Sequence, residues 1–295
     1  MGVTSTGQSG FDISPDGKVA LASLNVGGQN NLYQIDTASG KATLLGKFSS
    51  ASPVNAIAIP TDPVAYALDE TNNLLIFNIT NPANVASKPI TGILAGETLV
   101  GLDFRPLNGQ LYALGSSSRL YTINASSGAA AAVGTAPLAT LLTGTTFGFD
   151  FNPAVDRIRV VSNTGQNLRL HPDLGTVAFV DGVLSPGTPN VSAAAYTSNF
   201  AGTTTTTLFV IDHTADKLYI QNPPNNGTLV EVGALGINVD AVNGFDIGST
   251  SAIAFGVFKI GTTQALYSIN LGNGMATKLS DFSKPVRGFT VGLGF

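Results

Sequence analysis

The chain has 295 residues, 18 acidic and 14 basic side chains for a net charge of −4, no cysteine, and only 11% charged residues. That balance gives no electrostatic basis for binding nucleic acid or an anionic membrane. The missing cysteines exclude disulfides, thiolate metal sites and a cysteine nucleophile. Hydrophobic residues make up 43%, enough for a large core. Charge so far below the roughly 25% of an average soluble domain leaves the polar surface to Ser, Thr, Asn, Gln and Gly. Such a surface is common on secreted and cell-surface proteins and favours self-association.

Residues 1–9 show neither a basic stretch nor an apolar one, so a secreted or cell-surface protein would carry its signal outside this chain. No run of 18 apolar residues occurs, so no transmembrane segment is expected. The first repeat sets the grammar. A short apolar strand over 9–14 is followed by a Pro-Asp-Gly-Lys turn at 15–18, in which Pro presets φ and Gly supplies a positive φ. A second strand is expected over 19–24, and a third over 32–36, where large apolar and polar residues alternate. Asp36 then opens a tight turn that closes on Gly40, and a fourth strand follows over 41–46.

This unit recurs. Gly-Phe-Asp-Ile at 10–13 aligns with Ala-Ile-Ala-Ile at 56–59, Gly-Leu-Asp-Phe at 101–104 and Gly-Phe-Asp-Phe at 148–151. Further copies are Ala-Ala-Ala-Tyr at 193–196, Gly-Phe-Asp-Ile at 244–247 and Gly-Phe-Thr-Val at 288–291. Their third positions are 12, 58, 103, 150, 195, 246 and 290, a spacing of 44 to 51 residues. Asx-to-Gly turns recur too, at Asn124/Gly128 and Asn270/Gly274, with His171/Gly175 as a variant. Four short strands per repeat and a period in the forties specify an all-β chain, a six-bladed β-propeller of four-stranded antiparallel blades. Blades are expected near 9–50, 54–95, 99–140, 146–187, 191–238 and 242–283, in one domain. Only 129–142 is ambiguous, and its Gly, Thr and Pro point to a strand and a loop. A seventh first-strand at 286–295 has no blade of its own. It gives a seven-bladed alternative if it recruits other strands; otherwise it is a closing or exchanged strand. Phe289, Val291, Leu293 and Phe295 are too apolar for a free tail, so it should be docked, on its own chain or on a neighbour's.

Several stretches resemble a known family: residues 101–115, Arg-Leu-Tyr-Thr-Ile-Asn at 119–124, residues 148–162, Thr-Gly-Gln-Asn-Leu-Arg-Leu-His-Pro at 164–172, Leu-Tyr-Ile-Gln-Asn-Pro-Pro at 218–224 and Val-Asn-Gly-Phe-Asp-Ile at 242–247. They are similar to a bacterial family catalogued as domain of unknown function 4394. The resemblance runs from about residue 54 to the end, with 1–50 as one more unit of the same kind. It implies an exported bacterial propeller and transfers no catalytic residues.

Two groups of side chains are candidates for function. Asp12, Asp103, Asp150 and Asp246 occupy one position of the repeated first strand and are read as braces that accept amides of the adjoining Pro-containing turns. Ala58 and Ala195 replace them in two repeats, which suits a local brace better than a metal ring. The alternative is Ca²⁺ held by Asp103, Asp150 and Asp246. The second group is Arg105, Arg157, Arg159, Asn167 and Arg169. Three of the six arginines lie in the fourth repeat, Arg157 and Arg159 are two apart in a strand, and Arg169 stands where other repeats carry Tyr or Phe. Guanidinium forks suit a carboxylate, a phosphate or a sugar; the structural alternative pairs them with Asp150, Asp156 and Asp173. His171 and His213 sit at turns in no zinc-ligand spacing. With three glutamates and no tryptophan, a paired-Glu mechanism has little material. The sequence therefore favours a non-catalytic binding module or self-assembling surface protein, with a protein, a carbohydrate or another copy as partner and no cofactor. The alternative is a lactonase-like metal hydrolase using Asp103, Asp150, Asp246, Asn55 and Asn243 at a channel mouth.

Overall fold

The structure is a computed structural model that describes residues 1–14, 17, 19–48, 54–59, 64–241 and 243–293. It contains six four-stranded antiparallel sheets and a single turn of 3-10 helix at Pro224–Asn226 among the described residues. None of its described helices is long and apolar enough to cross a membrane. The expected turn at 15–18 and Phe295 fall largely outside the described residues.

The chain divides into two compact units, Met1–Pro63 and Val64–Leu293. The first holds one sheet: β1 (Gly10–Ile13), β2 (Ala20–Val26), β3 (Gln29–Ile35) and β4 (Ala42–Lys47), in sequence order. Each strand lies within a few residues of its expected place. The β3–β4 turn closes as its sequence dictates, with the Asp36 carboxylate accepting the amides of Ala38 and Ser39 and Gly40 at φ 68°. Ala22, Leu24 and Tyr33 form this unit's small core.

The second unit holds five sheets. Three strands, β5 (Val64–Leu68), β6 (Asn73–Asn78) and β7 (Asn81–Pro89), precede the sheet of β8 (Leu99–Phe104), β9 (Leu111–Gly115), β10 (Arg119–Ile123) and β11 (Ala130–Val133). Next come β12 (Phe147–Asn152), β13 (Arg157–Ser162), β14 (Asn167–His171) and β15 (Thr176–Val180), then β16 (Val191–Tyr196), β17 (Leu208–Asp212), β18 (Lys217–Gln221) and β19 (Leu229–Ala234). The last full sheet is β20 (Asn243–Ile247), β21 (Ala254–Ile260), β22 (Thr263–Ile269) and β23 (Ala276–Asp281), and the chain then runs into β24 (Gly288–Val291). The ambiguous stretch at 129–142 is β11 followed by a loop.

The sheet order β24-β5-β6-β7 is the main departure from the repeat. Repeat order assigns the first strand of this sheet to 56–59, but the C-terminal strand takes the place, with Gly288 opposite Leu68 and Val291 opposite Ala65. The seventh first-strand is thus docked within its own chain and forms no seventh sheet. Residues 56–59 form no strand. They lie against β1 inside the first unit, where the Ile59 amide donates to Asp12 Oδ2 at 2.6 Å.

In the second unit β8 lies beside β12, β12 beside β16, β16 beside β20, β20 beside β24, and β24 beside β8. Five apolar clusters fill the spaces between successive sheets, as where Ala195, Phe209 and Ile211 meet Phe245 and Phe258. The innermost strands come so close that the repeated glycine cannot carry a side chain. A Cβ built on Gly244 would lie 2.3 Å from Phe289 Cβ, and one on Gly101 2.5 Å from Phe149 Cβ. At Gly288 the nearest atom would be 3.4 Å away, which is ordinary contact. Gly244→Ala should therefore lose about 1–3 kcal/mol in chemical denaturation through overpacking, whereas Gly288→Ala should change stability by no more than about 0.5 kcal/mol. Equal losses at the two positions would show that inter-strand approach is not what selects glycine.

Candidate functional site

The repeated aspartates meet on the inner side of the five-sheet unit. Asp103 on β8, Asp150 on β12 and Asp246 on β20 are all buried, and their carboxylate oxygens come within 4.8 Å of one another. Each carboxylate reaches across to the next innermost strand. Asp103 Oδ2 accepts the Phe151 amide at 2.8 Å, Asp150 Oδ1 the Tyr196 amide at 2.9 Å, and Asp246 Oδ2 the Val291 amide at 2.6 Å. Asp103 and Asp246 also accept the amides of their own successors, Phe104 and Ile247. Thr290, which replaces Asp in β24, donates its hydroxyl toward Asp103 at 2.9 Å and Asp246 at 3.0 Å.

This corrects the expected turn-bracing role of Asp12, Asp103, Asp150 and Asp246. The turn after β8 satisfies its amides with its own carbonyls, Asn108 and Gly109 both donating to the Arg105 carbonyl. The carboxylates therefore serve strand-to-strand contacts, and Asp12 does the same toward Ile13 and Ile59 in the first unit.

Burial pushes Asp103 and Asp150 well above the usual carboxylate range, and repulsion from neighbouring carboxylates adds to both. Burial raises Asp246 to about 7, against the pull of the Val291 and Ile247 amides. Three converging carboxyls have the oxygen chemistry of a Ca²⁺ site. Here most of their oxygens already accept amide or hydroxyl protons, and the raised pKa values describe a cluster that holds protons.

The arginine group is brought together in part, but inside the protein. Arg105 is 4% exposed and forms ion pairs with Asp156 and Asp173, both at 2.5 Å. Arg159 is 1% exposed. It binds Asp181 at 2.6 Å, Asn167 at 2.7 Å and Asn225 at 2.8 Å. Arg169 forks onto the same Asp181 at 2.7 and 2.9 Å and lies 4.0 Å over the Phe179 ring. The shared partner follows from register: Arg159 and Arg169 are opposite each other on β13 and β14, so one buried carboxylate serves both. Asn167 is buried and donates to the carbonyls of Gly182 and Pro224. Arg157 is half-buried and donates to the Asp156 carbonyl.

Arg105, Arg159 and Asn167 therefore clamp neighbouring sheets and are sealed from solvent, contrary to the expectation of an accessible ligand group. Asp156 and Asp173 are partners as expected; Asp150 is not, and the unforeseen partner is Asp181. The histidines are half-buried, and Asp173 donates its amide to His171 Nδ1. Glu97 accepts from Ser117 and Tyr121, and burial together with this bond pushes the Tyr121 hydroxyl up to about 12.

Elsewhere, at the residues preceding the first position of the repeated motif, Ser192, Asn243 and Arg287 line one small cavity with Val100 and Phe147, and Asn243 donates to Ser192 at 2.8 Å. Asn243 was a candidate only as a metal ligand, and Arg287 was no candidate. The available signal was the change from apolar to polar at this one position along the repeats.

The match to known proteins extends over residues 1–58 and 73–290. The chain belongs to the family Domain of unknown function (DUF4394). The match includes the N-terminal repeat, which the motifs alone had only attached to it. No curated protein is significantly similar to this DUF4394 chain. Among solved structures it is similar to a Bacteroides thetaiotaomicron protein of unknown function, with 9% identity over 86% of this chain and 67% of the other and a TM-score of 0.48. An auxiliary nutrient binding protein from the same species matches with 14% identity over 85% and 67% and a TM-score of 0.44. A putative 6-phosphogluconolactonase from Bacteroides fragilis matches with 14% identity over 95% and 86% and a TM-score of 0.40. No function is carried over from these likenesses.

Two measurements test the site. The folded protein holds protons on Asp246 and its neighbours that an unfolded chain, with carboxyls near ~4, has already released. Stability should be greatest in mild acid and fall as pH rises from there to about 7. Asp246→Asn should flatten the thermal midpoint against pH in that window; a wild-type midpoint that climbs with pH would contradict the proton-holding cluster. Asp181→Ala leaves Arg159 buried without its counter-charge and should cost about 3–5 kcal/mol in equilibrium unfolding. A loss under about 1 kcal/mol would mean the clamp carries no more than a surface pair.

Proposed function

We propose that this DUF4394 protein is an exported, non-catalytic structural module that self-assembles head to tail at the cell surface by exchanging strand β24. One observation carries the reading: the chain contains two segments for one place. Residues 56–59 have the repeat position next to β5, and β24 occupies it. The unused segment nevertheless makes the contact of an innermost strand, since Ile59 meets Asp12 at 2.6 Å as Val291 meets Asp246 at 2.6 Å. A Cβ on Gly10 would lie 2.7 Å from Ala56 Cα, the same close approach found at Gly244.

The β24 contacts are identical whether the strand comes from the same chain or from another copy, so exchange costs little beyond association itself. Phe289 and Val291 are 3% exposed, and each contributes roughly 1.5–3 kcal/mol on burial, which keeps the strand docked somewhere. Donating at β24 and accepting at β5 uses two different surfaces, and a heterologous contact that does not close gives a filament. The first unit adds an apolar face: Phe11 and Ile13 are 55% and 42% exposed, although their repeat equivalents Phe245 and Ile247 are buried.

A metal-dependent hydrolase is the second reading, supported by the convergence of Asp103, Asp150 and Asp246 within 4.8 Å. Electron microscopy and sizing of the full chain separate the two. Filaments or concentration-dependent oligomers are expected, and removal of residues 286–295 should abolish them. Addition of a peptide spanning 286–293 should cap growing ends. A full chain that stays monomeric at every concentration overturns the assembly, and Ca²⁺ retained stoichiometrically through dialysis, together with ester or lactone hydrolysis, would install the hydrolase.

A further inference from the structure

The first unit leaves open a sheet face that is covered in the other repeats. Residues directly opposite one another in an antiparallel sheet share a face, so Phe11, Ala22, Tyr33 and Leu44 form one rung across β1, β2, β3 and β4. The same rung in the last full sheet is Phe245, Gly256, Tyr267 and Lys278. There Phe245 and Ile247 are 3% and 1% exposed, because Ala193, Ala195, Phe209 and Ile211 of the β16–β19 sheet pack against them. Their counterparts Phe11 and Ile13 are 55% and 42% exposed. Leu44, at the outer end of the rung, is 52% exposed where the other sheet ends in a lysine. Val3 packs against Ala22, Leu24 and Tyr33 in the middle of this face and is itself half-buried, so apolar surface lies between Phe11 and Leu44.

What covers such a face in the last full sheet is the face of another sheet. A second copy has none free in its five-sheet unit, because apolar clusters pack each of those sheets on both sides. The open sheet face it does offer is its own β1–β4. No charged side chain stands on the Phe11 rung or among Ile13, Ala20, Ile35 and Ala42 beside it, so two copies can meet there without like-charge repulsion. A face of four short strands covers roughly 400 Å². That is about half of what each partner contributes to a standard stable interface, so the contact should be reversible and should dissociate on dilution.

We propose that the β1–β4 face is a two-fold contact with a second copy of this chain, the Phe11 and Ile13 of each copy packing on the sheet of the other. Both copies use the same surface, so the contact closes on itself as a dimer. It differs in this from the head-to-tail exchange of β24, and neither contact needs the other.

Sedimentation of the full chain over a concentration series tests it, and a reversible monomer–dimer step is expected. Phe11→Asp should weaken that step roughly tenfold or more while thermal unfolding stays that of the wild type, since the side chain it replaces is already half-exposed. Leu44→Lys, which copies the residue type of Lys278, should weaken it in the same direction. Ile253→Asp changes an apolar residue of the second unit that is 49% exposed, and it should leave the dimer unchanged. A peptide spanning 286–293 separates this contact from strand exchange, because it should leave the two-fold dimer intact. Association that the peptide removes and Phe11→Asp does not belongs to β24; that result overturns the two-fold contact and spares the exchange. The proposal is equally overturned if the full chain is monomeric at every concentration, or if Ile253→Asp weakens association as much as Phe11→Asp does.

Discussion

Much of this structure depends on how closely two innermost strands approach. Gly244 and Gly101 leave no room for a methyl group against the following strand, and at that distance the aspartate two residues on reaches the next strand's amide. The same carboxylate-to-amide bond joins β8 to β12, β12 to β16 and β20 to β24. It gives a partner to an amide that faces away from its own sheet, and an amide buried without one would be costly. The consequence is three carboxyls crowded together away from water, whose burial raises their pKa values.

Charge is used the same way at the outer contacts. Arg105 leaves the turn after β8 to meet aspartates of the β12–β15 sheet, and Arg159 leaves β13 to meet Asn225 near β19. With 11% charged residues in the chain, placing these arginines between sheets gives orientation to contacts that apolar packing alone leaves free to slide. Arg287 has no ion pair among the described residues and lines a cavity with Ser192 and Asn243.

Strand β24 joins the end of the chain to the sheet of β5, β6 and β7. Six units of sequence carry seven first-strands, and the structure uses the seventh in the second unit while 56–59 stays with β1 in the first. Two segments of one repeat pattern thus correspond to a single place beside β5, and β24 holds it.

The sequence by itself determined the all-β class, the four-strand repeat and most strand positions, because period-two alternation and Asx-to-Gly turns act within a few residues. Asp36 and Gly40 close their turn with no help from the rest of the molecule. It also singled out the aspartates and arginines as unusual, since a charge in an apolar strand is visible in one dimension. Only the tertiary structure decided their partners. Asp103 meets Phe151 from 48 positions away and Thr290 from 187, and Arg159 meets Asn225 across 66. It likewise decided which of two similar segments lies beside β5, since 56–59 and β24 share a local sequence pattern and only β24 forms a strand there. The rim around Arg287 was hidden for the same reason: five residues from five repeats become a cavity only when their strands are set side by side, and which of their polar atoms stays unpaired depends on contacts that no local pattern encodes.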